Sequence, residues 1–177
     1  MTDRQFAELG SLVENLERAG KAPGAADTTK ISHALAKLFG VDPDEVAVLA
    51  LSDKNKSLKF LFPEKLAAVG TIPLSSTSAL AAKSARERRA EVVNNFSGTR
   101  HATVFEGVPM GRAPGEMIQK IMSAPILHDS KVVGVVQISR KGRTVADAGP
   151  DFTQKDLRAL MLLAPLLDRF VRLFEIS

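Results

Sequence analysis

The chain has 177 residues, of which 45% are apolar and 25% are charged, and its 24 basic and 20 acidic side chains give a net charge of +4. This length is typical of a single domain whose core needs no metal or disulfide to hold it together. Because the sequence contains no cysteine, disulfides, thiolate nucleophiles and zinc–thiolate sites are excluded.

The sequence also argues against membranes and nucleic acids as partners. No segment approaches the roughly 18 consecutive apolar residues of a membrane-spanning helix, and Asp3, Glu8 and Glu14 do not fit a secretory signal. All nine aromatic residues are phenylalanine, and they are not interleaved with basic side chains as in a single-strand binding platform. We therefore expect a cytoplasmic protein that binds neither a membrane nor nucleic acid.

The N-terminal segment is predicted to form a helix. Thr2 and Gln5 have the spacing of a capping box, and Gly20 is a typical helix stop. The apolar residues between them form one narrow stripe, as in a coiled-coil seam. We expect residues 1–26, this helix and a loop, to take part in dimerisation, ahead of a domain over residues 27–177.

The middle of the chain alternates between helix and strand signals. A second helix is predicted from about Asp27 to Gly40, followed by a hairpin of strands 45–51 and 57–62. A short strand within 68–72, a helix over 75–88 and a short strand at 91–93 come next. Residues 96–116 lack periodicity, and a loop of this length is often functional.

The C-terminal third carries the clearest pattern. Strands over 117–127 and 131–140 are joined by the turn His128-Asp129-Ser130, and a helix starts at Asp151 or Thr153 and runs to about residue 175. The apolar arc of this helix spans roughly 200°, wider than packing on one surface requires. Either a partner helix from another chain or other helices of the same domain must cover it. Consecutive strands with short turns predict an α+β fold, an antiparallel sheet with helices on one side.

Residues 117–160 resemble the C-terminal half of GAF domains. The resemblance is carried by Ala124-Pro125-Ile126, by the Gly134-Val135-Val136-Gln137-Ile138 strand, and by Phe152-Thr153 followed by Asp156-Leu157. It extends more loosely over residues 27–176, although four serine and threonine residues (75–78) replace the usual glycine turn. It implies a GAF/PAS-like sheet of five or six strands, with the terminal helices on one face and a ligand pocket on the other.

The resemblance also implies a function. GAF domains are sensory or regulatory modules, so we expect a non-catalytic sensor that binds a small molecule or a signalling protein and forms a homodimer through its terminal helices. The alternative is a structural dimerisation domain with a closed pocket. The predicted pocket residues are Phe96, Arg100, His101, Phe105 and Met122. The predicted dimer residues are Leu9, Leu12, Leu16, Leu163, Leu166, Phe170 and Leu173.

The enzymatic and cofactor-binding branches of the family make specific demands. Reduction of free methionine sulfoxide and thioether attachment of a bilin need cysteines, which are absent, and no other catalytic constellation is visible, so we expect no enzyme and no bound metal. Cyclic-nucleotide binders carry an N-K…F…D-E signature, of which Phe152 and Asp156 match while Leu157 replaces the glutamate. Haem would need one histidine from His33, His101 and His128, and neither ligand is excluded by the sequence.

Overall fold

The computed structural model of the chain describes residues 2–54, 56–96 and 115–174. The helices are α1 (Asp3–Ala19), α2 (Ala25–Phe39), α3 (Glu64–Ala67), α4 (Leu80–Glu87) and α5 (Gln154–Val171), with a 3-10 helix at Pro43–Glu45. The strands are β1 (Val46–Ser52), β2 (Ser57–Phe62), β3 (Thr71–Pro73), β4 (Glu91–Val93), β5 (Met117–His128) and β6 (Lys131–Gly142).

The six strands form one sheet in the order β3-β2-β1-β6-β5-β4. Every neighbouring pair is antiparallel. The hairpins β1–β2 and β5–β6 join consecutive strands, as the short polar turns predict. This arrangement confirms the predicted α+β fold and its antiparallel sheet.

Local hydrogen bonds explain where the helices begin. The Thr2–Gln5 capping box is formed at the start of α1, and Thr153 caps α5 by accepting the Asp156 amide N–H at 3.1 Å. By contrast, α4 begins later than predicted, at Leu80. Ser76 Oγ accepts the Ala79 amide N–H at 3.2 Å, so the serines there form a turn in place of a first helical turn.

The three long helices cover one face of the sheet. Ile31 and Leu35 of α2 and Leu160 of α5 are fully buried against β1, β5 and β6, and Leu9 and Val13 of α1 are buried in the same cluster. Thus α1 of the same chain covers much of the wide apolar arc of α5. None of the helices in the described part of the chain is both long and apolar enough to cross a membrane.

The polar contacts at one end of the helix layer show the directions of the helices. Arg140 donates to the carbonyl oxygens of Phe39 and Gly40 at the end of α2. Arg140 pairs across the sheet with Lys120, whose Nζ lies 2.8 Å from Asp151, just before α5. Since α2 ends where α5 begins, the two helices are antiparallel. A short loop reverses the chain between α1 and α2, so α1 and α5 run in the same direction.

Candidate functional site

The face of the sheet opposite the long helices carries a small cavity. Strands β1, β2, β5 and β6 form its floor, and α3 and α4 lie over it. The cavity has a volume of about 50 Å³, enough for roughly three to five water-sized groups. Its apolar lining consists chiefly of Phe60, Leu66, Ile72, Leu80, Ile118 and Ile121.

One end of the cavity is polar because β6 alternates there. Gln137, Ser139 and Lys141 occupy every second position of the strand and all line the cavity, as side chains on one face of a strand must. Asp44 and Glu45 of the 3-10 helix line the same end. The cavity therefore combines an apolar floor with convergent hydrogen-bonding groups, the composition typical of small-molecule sites.

Glu45 fastens the 3-10 helix to the sheet. Its buried carboxylate accepts the backbone N–H of Asp42 at 2.9 Å and that of Lys141 at 2.5 Å. Ser139 Oγ donates to the Glu45 carbonyl oxygen at 3.3 Å. Lys141 Nζ donates to the Asp44 carbonyl at 3.0 Å and lies 3.9 Å from the Asp44 carboxylate. Both a positive and a negative charge are thus held at this end.

A buried chain of hydrogen bonds joins the cavity to α4. Gln137 Nε2 donates to Ser123 Oγ at 3.2 Å, and the hydroxyls of Ser123 and Ser84 are 2.7 Å apart. Ser84 lies on α4, and both serines are almost completely buried. Because α4 also supplies Leu80 to the cavity, this covering helix both lines the cavity and is hydrogen-bonded to its polar end.

The acidic side chains at the polar end have the ligand types of a metal site but not its electrostatics. Carboxylate oxygens of Asp42, Asp44 and Glu45 lie within 4.8 Å of one another. However, the Glu45 carboxylate already accepts two backbone N–H groups, and the Lys141 ammonium lies beside Asp44. This positive charge opposes a bound cation.

The two predicted pocket residues that the structure describes lie on opposite faces of the sheet. Phe96 is buried on the cavity side, where it packs with Leu80 and Ile121. Met122 lies on the other face of the sheet, fully buried in the helix-side core, because neighbouring residues of a strand point to opposite faces. The remaining three predictions, Arg100, His101 and Phe105, fall outside the described residues.

The residues considered for haem and cyclic-nucleotide binding do not line the cavity where they are described. His33 is exposed on α2, and His128 is the last residue of β5, with Nδ1 2.9 Å from Asp168 Oδ2. Phe152 is buried in the helix-side core beneath the Arg140 guanidinium. Asp156 accepts the Thr153 amide N–H at 2.8 Å, as a helix cap. Their match to the nucleotide signature thus has structural reasons.

Sequence reasoning missed the polar residues that do line the cavity. Gln137, Ser139 and Lys141 alternate with apolar and basic residues in the β6 sequence. A polar side chain at every second position is normally taken for a solvent-facing edge. The two strands beside β6, β1 and β5, carry apolar residues on both of their faces. This pattern would have indicated that both sides of the sheet are covered, and hence that the polar residues of β6 face a covered site.

The predicted dimer residues are largely used inside the chain. Leu9, Leu163 and Phe170 have no exposed surface, and Leu166 is only 7% exposed. Leu12 and Leu16 are partly buried against the same core, and Leu173 is half-buried. A side chain without exposed surface cannot contact a second copy, so among the predicted residues only Leu12, Leu16 and Leu173 keep surface that a partner could contact.

An antiparallel six-stranded sheet with long helices on one face and a cavity on the other defines the α+β class of the protein. The GAF domain family matches residues 28–171, and the chain belongs to this family. GAF domains are signalling and sensory modules. A comparison of the sequence with functionally characterised proteins finds no significant match.

Solved structures with the same fold cover nearly the whole chain. The GAF domain of an Acinetobacter phosphoenolpyruvate-protein phosphotransferase is 16% identical with a TM-score of 0.65, over 97% of this chain and 95% of that chain. Residues 122 to 287 of a methyl-accepting chemotaxis protein are 15% identical with a TM-score of 0.63, over 92% and 96%. Free methionine-R-sulfoxide reductase from Neisseria meningitidis is 16% identical with a TM-score of 0.61, over 96% and 92%.

The third of these structures overturns the prediction that the chain is not an enzyme. Free methionine-R-sulfoxide reductases are enzymes with this fold, and further examples come from Thermoplasma acidophilum and Staphylococcus aureus. At such low identity the likeness establishes the fold alone. The lack of cysteine removes thiol chemistry but not catalysis by other groups, so it was not a sufficient ground for excluding an enzyme.

Proposed function

We propose that the chain is a regulatory module that binds a small molecule in the cavity between the sheet and α4. The observation that carries this proposal is the convergence of Gln137, Ser139 and Lys141 on an apolar floor. Relatives of this fold support it, since the reductase from Neisseria meningitidis was solved in complex with its substrate. The cavity volume of about 50 Å³ favours a ligand of only a few non-hydrogen atoms.

A cavity-filling variant tests this proposal against a closed structural domain. Ala47 lines the cavity from β1, so Ala47→Leu fills the space, whereas Ala68→Leu adds the same side chain at an exposed position. Native mass spectrometry and a small-molecule thermal-shift screen of the wild type should identify a ligand that stabilises the fold. Ala47→Leu should abolish that shift and Ala68→Leu should retain it. A wild type that responds to no compound, with Ala47→Leu simply more stable, would show that the cavity is structural.

We further propose that the module forms a homodimer through a redrawn surface on α1 and α5. The exposed apolar residues there are Phe6 at 38%, Met161 at 52% and Leu162 at 66%. Arg169 of α5 hydrogen-bonds Glu17 of α1, and the two helices run in the same direction. Gly10 lies about two turns before Glu17 in α1, and Leu162 lies about two turns before Arg169 in α5. Gly10 and Leu162 are therefore at the same height along the two helices. Exposed apolar side chains on two neighbouring helices are typical of an interface.

The charges beside this surface suit a symmetric contact. The α1 side carries Asp3 and Glu14, whereas the α5 side carries Arg158, and all three side chains are exposed. In a two-fold arrangement α1 of one copy faces α5 of the other, so opposite charges meet on both sides. Gly10 supports this arrangement, because a Cβ there would meet nothing within 4 Å and the chain itself gives no packing reason for a glycine within α1.

Oligomeric state tests the dimer. Size-exclusion chromatography with light scattering should give twice the chain mass for the wild type and for Met117→Asp, a control in which an equally exposed methionine is changed on β5. Met161→Asp with Leu162→Asp should give a monomer with unchanged circular dichroism. A monomeric wild type at high concentration, or a dimer that survives both changes, contradicts this surface.

A further inference from the structure

The groove on the other side of α1, between α1 and α2, has a different character. Its apolar floor consists of Leu12 of α1, Ala34 of α2 and Val41, which follows α2. Lys30, His33 and Lys37 of α2 line its outer rim, because positions three and four residues apart share one side of a helix.

The groove continues along the N-terminal half of α1. A second set of lining residues contains Arg4 and Ser11 and shares Glu8 and Lys37 with the first. From Lys30 to Lys37 the rim spans about two helical turns, or roughly 10 Å. The groove therefore has room for about two turns of another helix laid against the hairpin.

The basic residues of this groove are not neutralised. Several other cations in the described part of the chain are paired with carboxylates, as in Lys83–Glu91, Lys120–Asp151 and Arg172–Asp168. Within the same described residues, no carboxylate lies within ion-pair distance of Arg4, Lys30 or Lys37. Three cations against the single carboxylate of Glu8 leave the groove with a local charge of +2, which is half of the net charge of +4 of the whole chain.

We infer that this groove binds an acidic amphipathic helix of a partner protein. Apolar side chains of such a helix would contact Leu12 and Val41, and its carboxylates would face Lys30 and Lys37, the usual mode of helix-in-groove recognition. Nucleic acid fits less well, because the floor is apolar, none of the phenylalanines among the described residues lines the groove, and Glu8 repels phosphates. The groove lies on the opposite side of α1 from Met161 and Leu162, so a homodimer and this partner do not compete.

A synthetic helical peptide of about 18 residues, with leucines on one face and glutamates elsewhere, tests the inference. Its binding to the full chain is measured by fluorescence anisotropy at about 50 mM and about 150 mM salt. The variant Lys30→Glu with Lys37→Glu should weaken binding about tenfold or more, because both rim charges are reversed. The control Lys59→Glu with Lys65→Glu changes the net charge equally on exposed positions of β2 and α3 and should bind as the wild type does.

The outcomes separate the inference from general attraction between opposite charges. A glutamate peptide without leucines, and a single-stranded oligonucleotide of similar charge, should both bind at least tenfold more weakly than the amphipathic peptide. The inference is overturned if the amphipathic peptide does not bind, if both pairs of variants weaken it equally, or if the oligonucleotide binds as tightly. The milder Lys30→Gln with Lys37→Gln, which should give an intermediate loss, is available if the charge reversal unfolds the chain.

Discussion

The two faces of the sheet are packed by different kinds of residues. On the helix side, long side chains such as Leu35, Leu160 and Phe170 have no exposed surface and fill the space between the layers. On the cavity side, α4 presents Ala81, Ala82 and Ala85, and the strands add polar groups. The alanines of α4 leave space for a cavity that larger side chains would fill. The helix side is therefore suited to stability and the cavity side to binding.

The largest expected effect comes from truncating an aromatic residue on each face. Phe170→Ala should cost about 3–5 kcal/mol of unfolding free energy, because Phe170 also packs against the rings of Phe62 and Phe174. Phe60→Ala should cost less, about 2–3 kcal/mol, since Phe60 already borders the cavity. Urea unfolding of both variants measures the difference, and equal losses would show that the cavity side is packed as tightly as the helix side.

The next effect lies in the sheet that separates the two faces. A Cβ added at Gly134 of β6 would lie 2.3 Å from the carbonyl oxygen of Leu49 in β1, and a backbone oxygen cannot move aside without breaking the ladder. A glycine at this position therefore permits the close approach of the neighbouring strand. Gly134→Ala should therefore destabilise the chain by about 2–3 kcal/mol.

Gly10→Ala provides the matched comparison for that substitution. Its added Cβ meets nothing within 4 Å, so in an isolated chain it should stabilise α1 by about 0.5–1 kcal/mol. Thermal unfolding of the two alanine variants should thus shift in opposite directions. A stable Gly134→Ala variant would mean that β1 and β6 can separate without loss, which would contradict the register of this strand pair.

A smaller effect is expected from the buried hydroxyls on the cavity side. Ser123→Ala removes the acceptor of Gln137 and the partner of Ser84, and should cost about 1–2 kcal/mol. In the double variant with Ser84→Ala the loss should be smaller than the sum of the two single losses, because both serines share one hydrogen bond. Strict additivity in urea unfolding would show that the two hydroxyls act independently.

Much of the fold was predictable because its signals are local. The capping residues Thr2 and Thr153, the glycine after α1 and the alternation in β5 and β6 each act within a few residues. The start of α4 was missed because the hydroxyl of Ser76 competes with the first helical turn, and propensity does not register that competition.

The candidate site was less predictable because it depends on the third dimension. The aromatic and methionine criterion selected Met122, which the pleat of β5 directs into the helix-side core. It passed over Gln137 and Ser139, whose polar character resembles that of an exposed strand. Likewise, the periodicity of α1 and α5 identifies an apolar face but not whether the covering helix belongs to the same chain, and here Leu9 and Leu163 are covered from within.

The smallest expected effect belongs to the exposed ion pair that joins α1 to α5. The hydrogen bond from Arg169 lowers the pKa of Glu17 below its usual 4.5. A lowered pKa in the folded state means that the charged form stabilises the fold above pH 4.5, and this contribution is lost as the pH falls through the lowered value. Both side chains are more than one-third exposed, so the contribution should be about 0.5 kcal/mol or less.

Glu17→Gln should therefore be slightly less stable than the wild type near neutral pH and equal to it in strong acid, when both are followed by urea unfolding across the acid range. Glu14→Gln, an exposed change on the same helix, should show a smaller difference, because Glu14 makes no hydrogen bond to Arg169. A difference in unfolding free energy between Glu17→Gln and the wild type that grew as the pH fell would be the opposite of the expected pH dependence. That result, or the absence of any difference near neutral pH, would contradict a stabilising role of this ion pair.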